Sequence, residues 1–440
     1  MNTAVRTLHD LLVIDHLEVG PPVVEPRRIV VPYRVTTGDV TESTELVYRW
    51  EEEVFRPDQQ ADHNLATVIG AQVALNYGLF CRRISVHGPL DAADRSWLRK
   101  MLENTSREIR VHKIRSDNPF LVPGAAAALD GQRTGPFTRA ELVFDDPTPA
   151  PITEDWGGSA RPAVLSSGGK DSLLTFGLLR EIGAEPLPVF VNESGRHWYT
   201  AMNAYRAFRH DVPGTARVWT NCDRVFAWML RRLPFVRPDF ARVRADIYPI
   251  RLWTVAVFLF GALPVLRRRG AGRLLIGNEF DTSTRGTRDG ITHYDGLYDQ
   301  SRWFDAAMTR YFHRKGWNVS QFSVLRPLSD LLIQEMLAVR YPDLQRHQTS
   351  CHSAHIEGDR VRPCGACEKC RRIVGVLTAI EVDPAVCGYT PEQARRCLEA
   401  LPHHPVKQEA PAAAHRMATL AARGAIEPVR GARLHPEIRR

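Results

Sequence analysis

From Ala163 onward, short β-rich runs alternate with helical stretches, which restricts the chain to a mostly parallel sheet covered by helices on both faces. The spacing predicts strands at Ala163–Leu165, Leu187–Val191, Arg217–Asn221, Arg273–Gly277 and Val319–Leu325. Between them it predicts helices at Asp171–Ile182, Trp198–His210, Arg224–Leu233, Leu297–Lys315 and Asp330–Tyr341. A 15-residue apolar run, Leu252–Leu266, is short for a membrane span and reads as a buried helix ending near Arg269. In such sheets ligands sit beyond the carboxyl ends of the strands, so the candidate residues are sought there.

The first of these strands runs directly into Ser166-Ser167-Gly168-Gly169-Lys170-Asp171-Ser172 and then a helix. Paired glycines allow a tight turn and close approach to a ligand. The free N–H groups of the helix start, aided by its dipole, face an anion. Ser167 and Ser172 add hydroxyls, and Lys170, one of only six lysines beside 52 arginines, adds a mobile charge. Asp171 suits a phosphate site only with a cation, which implies Mg²⁺. The spacing is neither that of a kinase-type P-loop nor that of a dinucleotide fold. It resembles the signature of the PP-loop ATP pyrophosphatases. That resemblance implies ATP cleavage between the α- and β-phosphates, with Ser166 to Ser172 holding the nucleotide and Lys170 and Asp171 in the reaction.

Cys351 is followed by Cys364, Cys367 and Cys370. Clustered cysteines in a chain with no signal-peptide pattern read as a metal site before disulfides. Four thiolates suit a closed, structural Zn²⁺ site; an iron–sulfur cluster is the other reading. His352 or His355 is an alternative to one thiolate. A PP-loop followed by four cysteines also resembles the 7-cyano-7-deazaguanine synthases.

The second strand leads into Asn192-Glu193-Ser194-Gly195-Arg196-His197. Asn192, Glu193 and Arg196 are candidate substrate contacts and His197 a candidate base; the competing readings are a Ser194 helix cap and a structural histidine. The fourth strand leads into Glu279 and Asp281, either Mg²⁺ ligands or capping residues. Arg285, Arg288, Asp289 and Gly290 read as a polar loop closing over a substrate. Cys222 reads as a proton carrier or as an inert buried thiol.

The Pro- and Gly-rich stretch 145–162 separates this region from an N-terminal α+β unit. There, strands are expected at Arg28–Arg34, Thr44–Trp50 and Ile84–His87, with a helix at Asn64–Leu79. The expected division is 1–146, 160–345 for the PP-loop unit, 346–385 for the cysteine segment and 386–440 for a helical or flexible basic tail. Of the net charge of +8, half lies in residues 401–440, where seven basic side chains face three acidic ones. The body is therefore too weakly basic to imply nucleic acid, and no membrane span or signal peptide is read. The expected location is cytoplasmic.

Three longer runs narrow the resemblance: VNESGRHWYTAMNAYR, RADIYPIRLWTVAVFLFGALP and IGNEFDTS. Together they are similar to the UDP-N-acetylmuramoyl-L-alanyl-L-glutamate epimerase family, over most of the chain and least beyond about residue 400. The resemblance implies ATP-dependent inversion of the terminal L-Glu of a UDP-sugar dipeptide, through an acyl adenylate, in peptidoglycan precursor synthesis. The alternatives are a queuosine-type ligase or a tRNA-modifying PP-loop enzyme.

Overall fold

The computed structural model describes residues 8–122, 135–145, 150–152, 154, 156, 158–193, 195, 198–243, 249–294, 297–404 and 410–428. In the first part of the chain, strands β1 (Ile14–Val19), β2 (Val23–Glu25), β3 (Arg28–Thr37) and β4 (Val40–Trp50) precede helix α1 (Gln60–Ala71). Strand β5 (Cys81–Val86), helix α2 (Ala92–Ile109) and strand β6 (Glu141–Phe144) complete it. The alternating part follows with β7 (Ser159–Ser166), α3 (Lys170–Glu181), β8 (Leu187–Glu193), α4 (Trp198–Asp211), β9 (Ala216–Thr220) and α5 (Cys222–Leu230). It continues with α6 (Val255–Arg269), β10 (Ala271–Leu275), a hairpin of β11 (Arg285–Arg288) and β12 (Ile291–Tyr294), α7 (Arg302–Arg314) and β13 (Ser320–Phe322). Helices α8 (Asp330–Arg340) and α9 (Pro342–Gln345), the short ribbon β14 (His355–Glu357) and β15 (Arg360–Arg362), and helices α10 (Glu368–Ala379), α11 (Pro391–Ala400) and α12 (Ala410–Ala422) end the described chain.

Neighbouring strands run β13-β10-β7-β8-β9-β4-β3-β1-β5-β6, with β2 beside β3, in one 11-stranded sheet. From β13 to β9 every pairing is parallel. Within that half the chain first steps from β7 outward to β8 and β9, then returns to the other side of β7 for β10 and β13. The direction of winding therefore reverses between β7 and β10. That reversal leaves a crevice at the carboxyl ends of the two strands, because the connections leave them on opposite sides.

The parallel strands carry apolar residues on both faces because both are covered. In β8, Val189 packs into the core that includes Phe260 of α6, while the next residue, Phe190, packs with Leu173 of α3, Phe208 of α4 and Ile333 of α8. The apolar run expected to be a core helix supplies most of α6, ten of whose fifteen residues are buried. No helix among the described residues is long and apolar enough to cross a membrane.

The sheet does not stop at the linker. Tyr48, Arg49 and Trp50 of β4 pair antiparallel with Thr220, Trp219 and Val218 of β9. Tyr48 donates its hydroxyl to Val257 O at 3.2 Å, and Trp50 donates its indole N–H to Gly261 O at 3.0 Å. Gly261 is required there, since a Cβ would lie 2.7 Å from the Tyr48 ring. Buried Lys315 adds a second tie, its ammonium meeting Asp91 and, at 3.1 Å, Asp94 of α2. The basic C-terminal part is likewise packed as far as it is described: Leu420 and Arg416 of α12 are buried at 0% and 1% exposure.

Candidate nucleotide and metal sites

The loop after β7 turns through Gly168 at φ +73°. A Cβ there would stand 2.7 Å from both Ala201 Cα and Thr200 O, so the loop lies flat on the first turn of α4. Ser172 ties the turn, donating to Gly169 O at 3.1 Å and accepting from Ser167 N at 3.3 Å. Gly169, the N-cap of α3, brings no capping side chain, and first-turn N–H groups not bonded within the helix are available to an anion. Gly277, just after β10, completes the fit: a Cβ would come within 2.7 Å of the Asp171 backbone carbon.

A cavity of about 330 Å³ opens at this point of the sheet, lined by Ser166, Ser167, Asp171 and Ser172 on one side and by Ile276, Gly277 and Asn278 on the other. Trp198, Thr200 and Ala201 of α4, Thr254, Val255 and Phe258 around the start of α6, and Lys369 of α10 close it. Four helices thus present their first turns to one space, and their dipoles together favour a negative ligand. Its volume falls in the range of small-molecule sites, about 300–1,000 Å³. The side-chain amide nitrogen of Asn278 is buried without a hydrogen-bond partner among the described residues.

Lys170 does not behave as expected of a mobile, exposed cation. It is 4% exposed, with its ammonium 2.6 Å from Asp171, 2.8 Å from Asp330 and 4.0 Å from Glu279. Burial works against its charge, but the three carboxylates outweigh burial and raise its pKa above the ordinary value. Burial pushes Glu279 up to about 8, helped by the carboxylate of Asp171. Asp330 goes the other way: Lys170 and Arg372 overcome burial and hold it at about 2. Asp281 is raised by burial and by Asp330. The loop therefore ends in a carboxylate cluster with an embedded ammonium. Asp171 belongs to both the cluster and the cavity; Glu279 and Asp281 are in the cluster but do not line the cavity.

The four sulfur atoms of Cys351, Cys364, Cys367 and Cys370 lie within 4.8 Å of one another, positioned to bind a metal ion such as zinc. Their recorded contacts are 3.5, 3.8 and 3.9 Å. A tetrahedron with Zn–S bonds of about 2.3 Å has edges of about 3.8 Å, so the spacing fits one ion. In a four-iron cluster each thiolate would sit on a different iron and stand further from the others. Cys351 also accepts N–H bonds at 3.2 Å from Ser353 and Cys364, suiting a thiolate. His355 lies exposed on β14, 3.9 Å from Glu357, and the four sulfurs assemble without it.

The remaining candidates are dispersed. Asn192 and Glu193 line a second cavity, about 380 Å³, which shares Trp198 with the first. Glu193 is raised by burial, against the pull of Arg251; its carboxylate is 3.9 Å from Arg251 and 3.8 Å from Cys222 Sγ. Cys222 is fully buried and its thiol is pushed well up by burial, the pattern of an inert thiol. Arg196, His197 and Ser194 lie outside the described residues. The expected polar loop at 285–290 is a hairpin whose Asp289-Gly290 turn has positive φ at both positions, as a tight two-residue turn requires. There Arg285 stacks 3.9 Å over Trp303 and Arg288 donates to Ser116; neither lines the cavity at the glycine loop.

Sequence reasoning missed Asp330, Lys369, Arg372 and Asn278. Only Lys369 left a signal: it is one of the six lysines and stands between Cys367 and Cys370 of the cysteine cluster.

No family model matches the chain, and no curated protein matches it. Among solved structures it is similar to one described as a predicted subunit of a tRNA methyltransferase from Methanocaldococcus jannaschii, at 14% identity and a TM-score of 0.25, over 53% of this chain and 95% of that one. Similarity of that degree bears on neither activity nor substrate.

Proposed function

We propose that the chain is a PP-loop ATP pyrophosphatase that activates a carboxylate as its adenylate. The observation that carries this is the placement of the Ser166–Ser172 loop at the point where the sheet's winding reverses, with uncapped α3 and three further helix starts facing one cavity. The adenosine triphosphate would lie with its phosphates on the loop and its base among Trp198, Val255 and Phe258. Asp171 and the neighbouring Glu279 and Asp281 are the donors for Mg²⁺, whose charge would offset that of the departing pyrophosphate. The acceptor would occupy the adjoining cavity at Asn192 and Glu193.

For the acceptor we adopt the terminal glutamate of UDP-MurNAc-L-Ala-L-Glu, on the similarity of the runs at 191–206, 244–264 and 276–283. A carboxylate oxygen attacks the α-phosphorus of ATP and pyrophosphate leaves. Replacing the carboxylate charge by an acyl phosphate makes the Cα–H far more acidic. The proton is removed, returned on the opposite face, and water releases AMP and the D-glutamyl product. His197, adjacent in sequence to the cavity-lining Trp198, is our candidate for the proton-transfer group; Arg196, Arg285 and Arg288 are candidates for the anionic UDP-sugar.

A second reading, a deazapurine-type ligase, is favoured by one observation: the cysteine cluster borders the same cavity through Lys369. One assay separates them. With ATP, Mg²⁺ and the UDP-sugar dipeptide in D₂O, epimerisation gives AMP and D-Glu carrying deuterium at Cα, neither appearing without ATP. AMP formed only with a deazapurine carboxylate and ammonia selects the ligase. ADP as product removes the pyrophosphatase reading itself.

A further inference from the structure

We propose that Lys369, held between two metal ligands, is the side chain that grips the phosphate chain of the bound nucleotide, so that metal loading and nucleotide binding are coupled through one turn of helix. This rests on the ATP reading of the same cavity.

The glycine-loop lysine is not free for that task. Lys170 is engaged by Asp171 at 2.6 Å and Asp330 at 2.8 Å. Moving its ammonium onto a phosphate would break both contacts and leave the buried carboxylates with Arg372 in place of two cations, a cost that opposes the move. Lys369 is in the opposite condition. It lines the cavity with Ser166, Ser167 and Asp171, and it has no hydrogen bond or ion pair among the described residues. Burial and Arg372 work against its charge, and the nearby Cys367, Cys351 and Glu368 favour it; an ammonium without an ion pair at a cavity bordered by helix starts is a receptor for an anion, which would supply the missing counter-charge.

The metal site determines where that ammonium stands. Cys367 is the N-cap of α10, in extended geometry at φ −74° and ψ 168°, and Cys370 is in the first turn. Lys369 lies between them, so with both thiolates on one ion its backbone cannot rotate away from the cavity. Arg372, three residues on and therefore on the same helix face, is drawn by the charges of Asp330, Glu279 and Asp171. One face of α10 thus supplies one cation to the carboxylate cluster and another to the cavity.

The test uses the full-length, zinc-loaded protein and its Lys369→Met and Lys369→Arg variants. Affinity for Mg²⁺–ATP and for inorganic pyrophosphate is measured by calorimetry, with bound zinc and melting temperature alongside. Losing a charge-assisted phosphate contact should weaken ATP and pyrophosphate binding by roughly tenfold to hundredfold in Lys369→Met. Zinc content and melting temperature should stay as in the parent, and Lys369→Arg should recover most of the loss. Unchanged ATP affinity in Lys369→Met, with the parent binding ATP, overturns the proposal and leaves the ATP reading intact. A parent that binds neither ATP nor pyrophosphate removes both. If both variants shed zinc, Lys369 supports the metal site instead, and the proposal falls.

Discussion

Removing the Lys170 ammonium leaves Asp171, Glu279 and Asp330 facing one another with less compensation. Breaking a buried ion cluster from one side costs about 3–5 kcal/mol. Lys170→Ala should therefore lose activity and also melt well below the parent, measurable by calorimetry; an unchanged melting temperature would mean the ammonium is not buried among these acids. Glu279 has its own signature. Its folded pKa, about 8, lies above the ordinary 4.5, so the folded protein holds this proton more tightly than the unfolded chain does. That contribution is complete below about 4.5 and is lost as pH rises through about 8. Asp330 has the reverse dependence: depressed from 3.8 to about 2, it stabilises above 3.8 and loses that effect as pH falls toward 2. Glu279→Gln should thus gain on the ligand-free parent progressively between pH 5 and 8.5. A melting-temperature difference that stays flat over that range would show that Glu279 ionises normally.

At the scale of elements, two joints hold the site together, and each has a substitution that tests it. Gly277→Ala places a methyl group 2.7 Å from the Asp171 backbone and must push the end of β10 away from α3. Overpacking of that kind costs about 1–3 kcal/mol, and ATP-dependent AMP release should vanish while the protein stays folded. The second joint is the start of α10. The chain should carry close to one zinc, read by elemental analysis, and Cys367→Ser should lose it and melt early, because metal binding adds directly to folding free energy; iron with visible absorbance would replace zinc by another ion. The strand–loop–helix unit at Ser166–Ser172 was legible in the sequence because turn chemistry is local: adjacent glycines, a strand before and a helix after. Nearly every helix and strand expected beyond Ala163 is present within a few residues. Asp330 and Arg372 were not legible, because they reach the loop from α8 and α10 and nothing in their own neighbourhoods marks them; Asn278 lay inside a marked run, but its burial there depends on the packing around the end of β10. The burial of Lys170 was hidden for the same reason: its partners Glu279 and Asp330 are more than a hundred residues away.

The whole molecule is organised by a sheet that crosses the segment read as a linker. Composition at 145–162 marks a change in chain character, but strand pairing is decided by contacts that composition does not record. Here β4 pairs with β9 across some 170 residues of sequence. The N-terminal strands therefore close one edge of the parallel half and cover it with a shared core. Tyr48 and Trp50 are 0% and 4% exposed, and both hydrogen-bond to the backbone of α6. Since α6 also lines the cavity at Val255 and Phe258, the N-terminal part supports the site through this helix. Deleting residues 1–146 would open the edge of β9, expose the apolar face of α6 that meets Tyr48 and Trp50, and leave buried Lys315 without Asp91 and Asp94. An unpaired edge beside an apolar surface is a template for aggregation. We expect the chain from residue 147 onward to be recovered as aggregate, and co-expression with residues 1–146 to restore solubility by rejoining β4 to β9. A monomeric 147–440 fragment with the parent's melting temperature and AMP-forming activity would show that the parallel half folds alone and that the sheet junction adds nothing to the site.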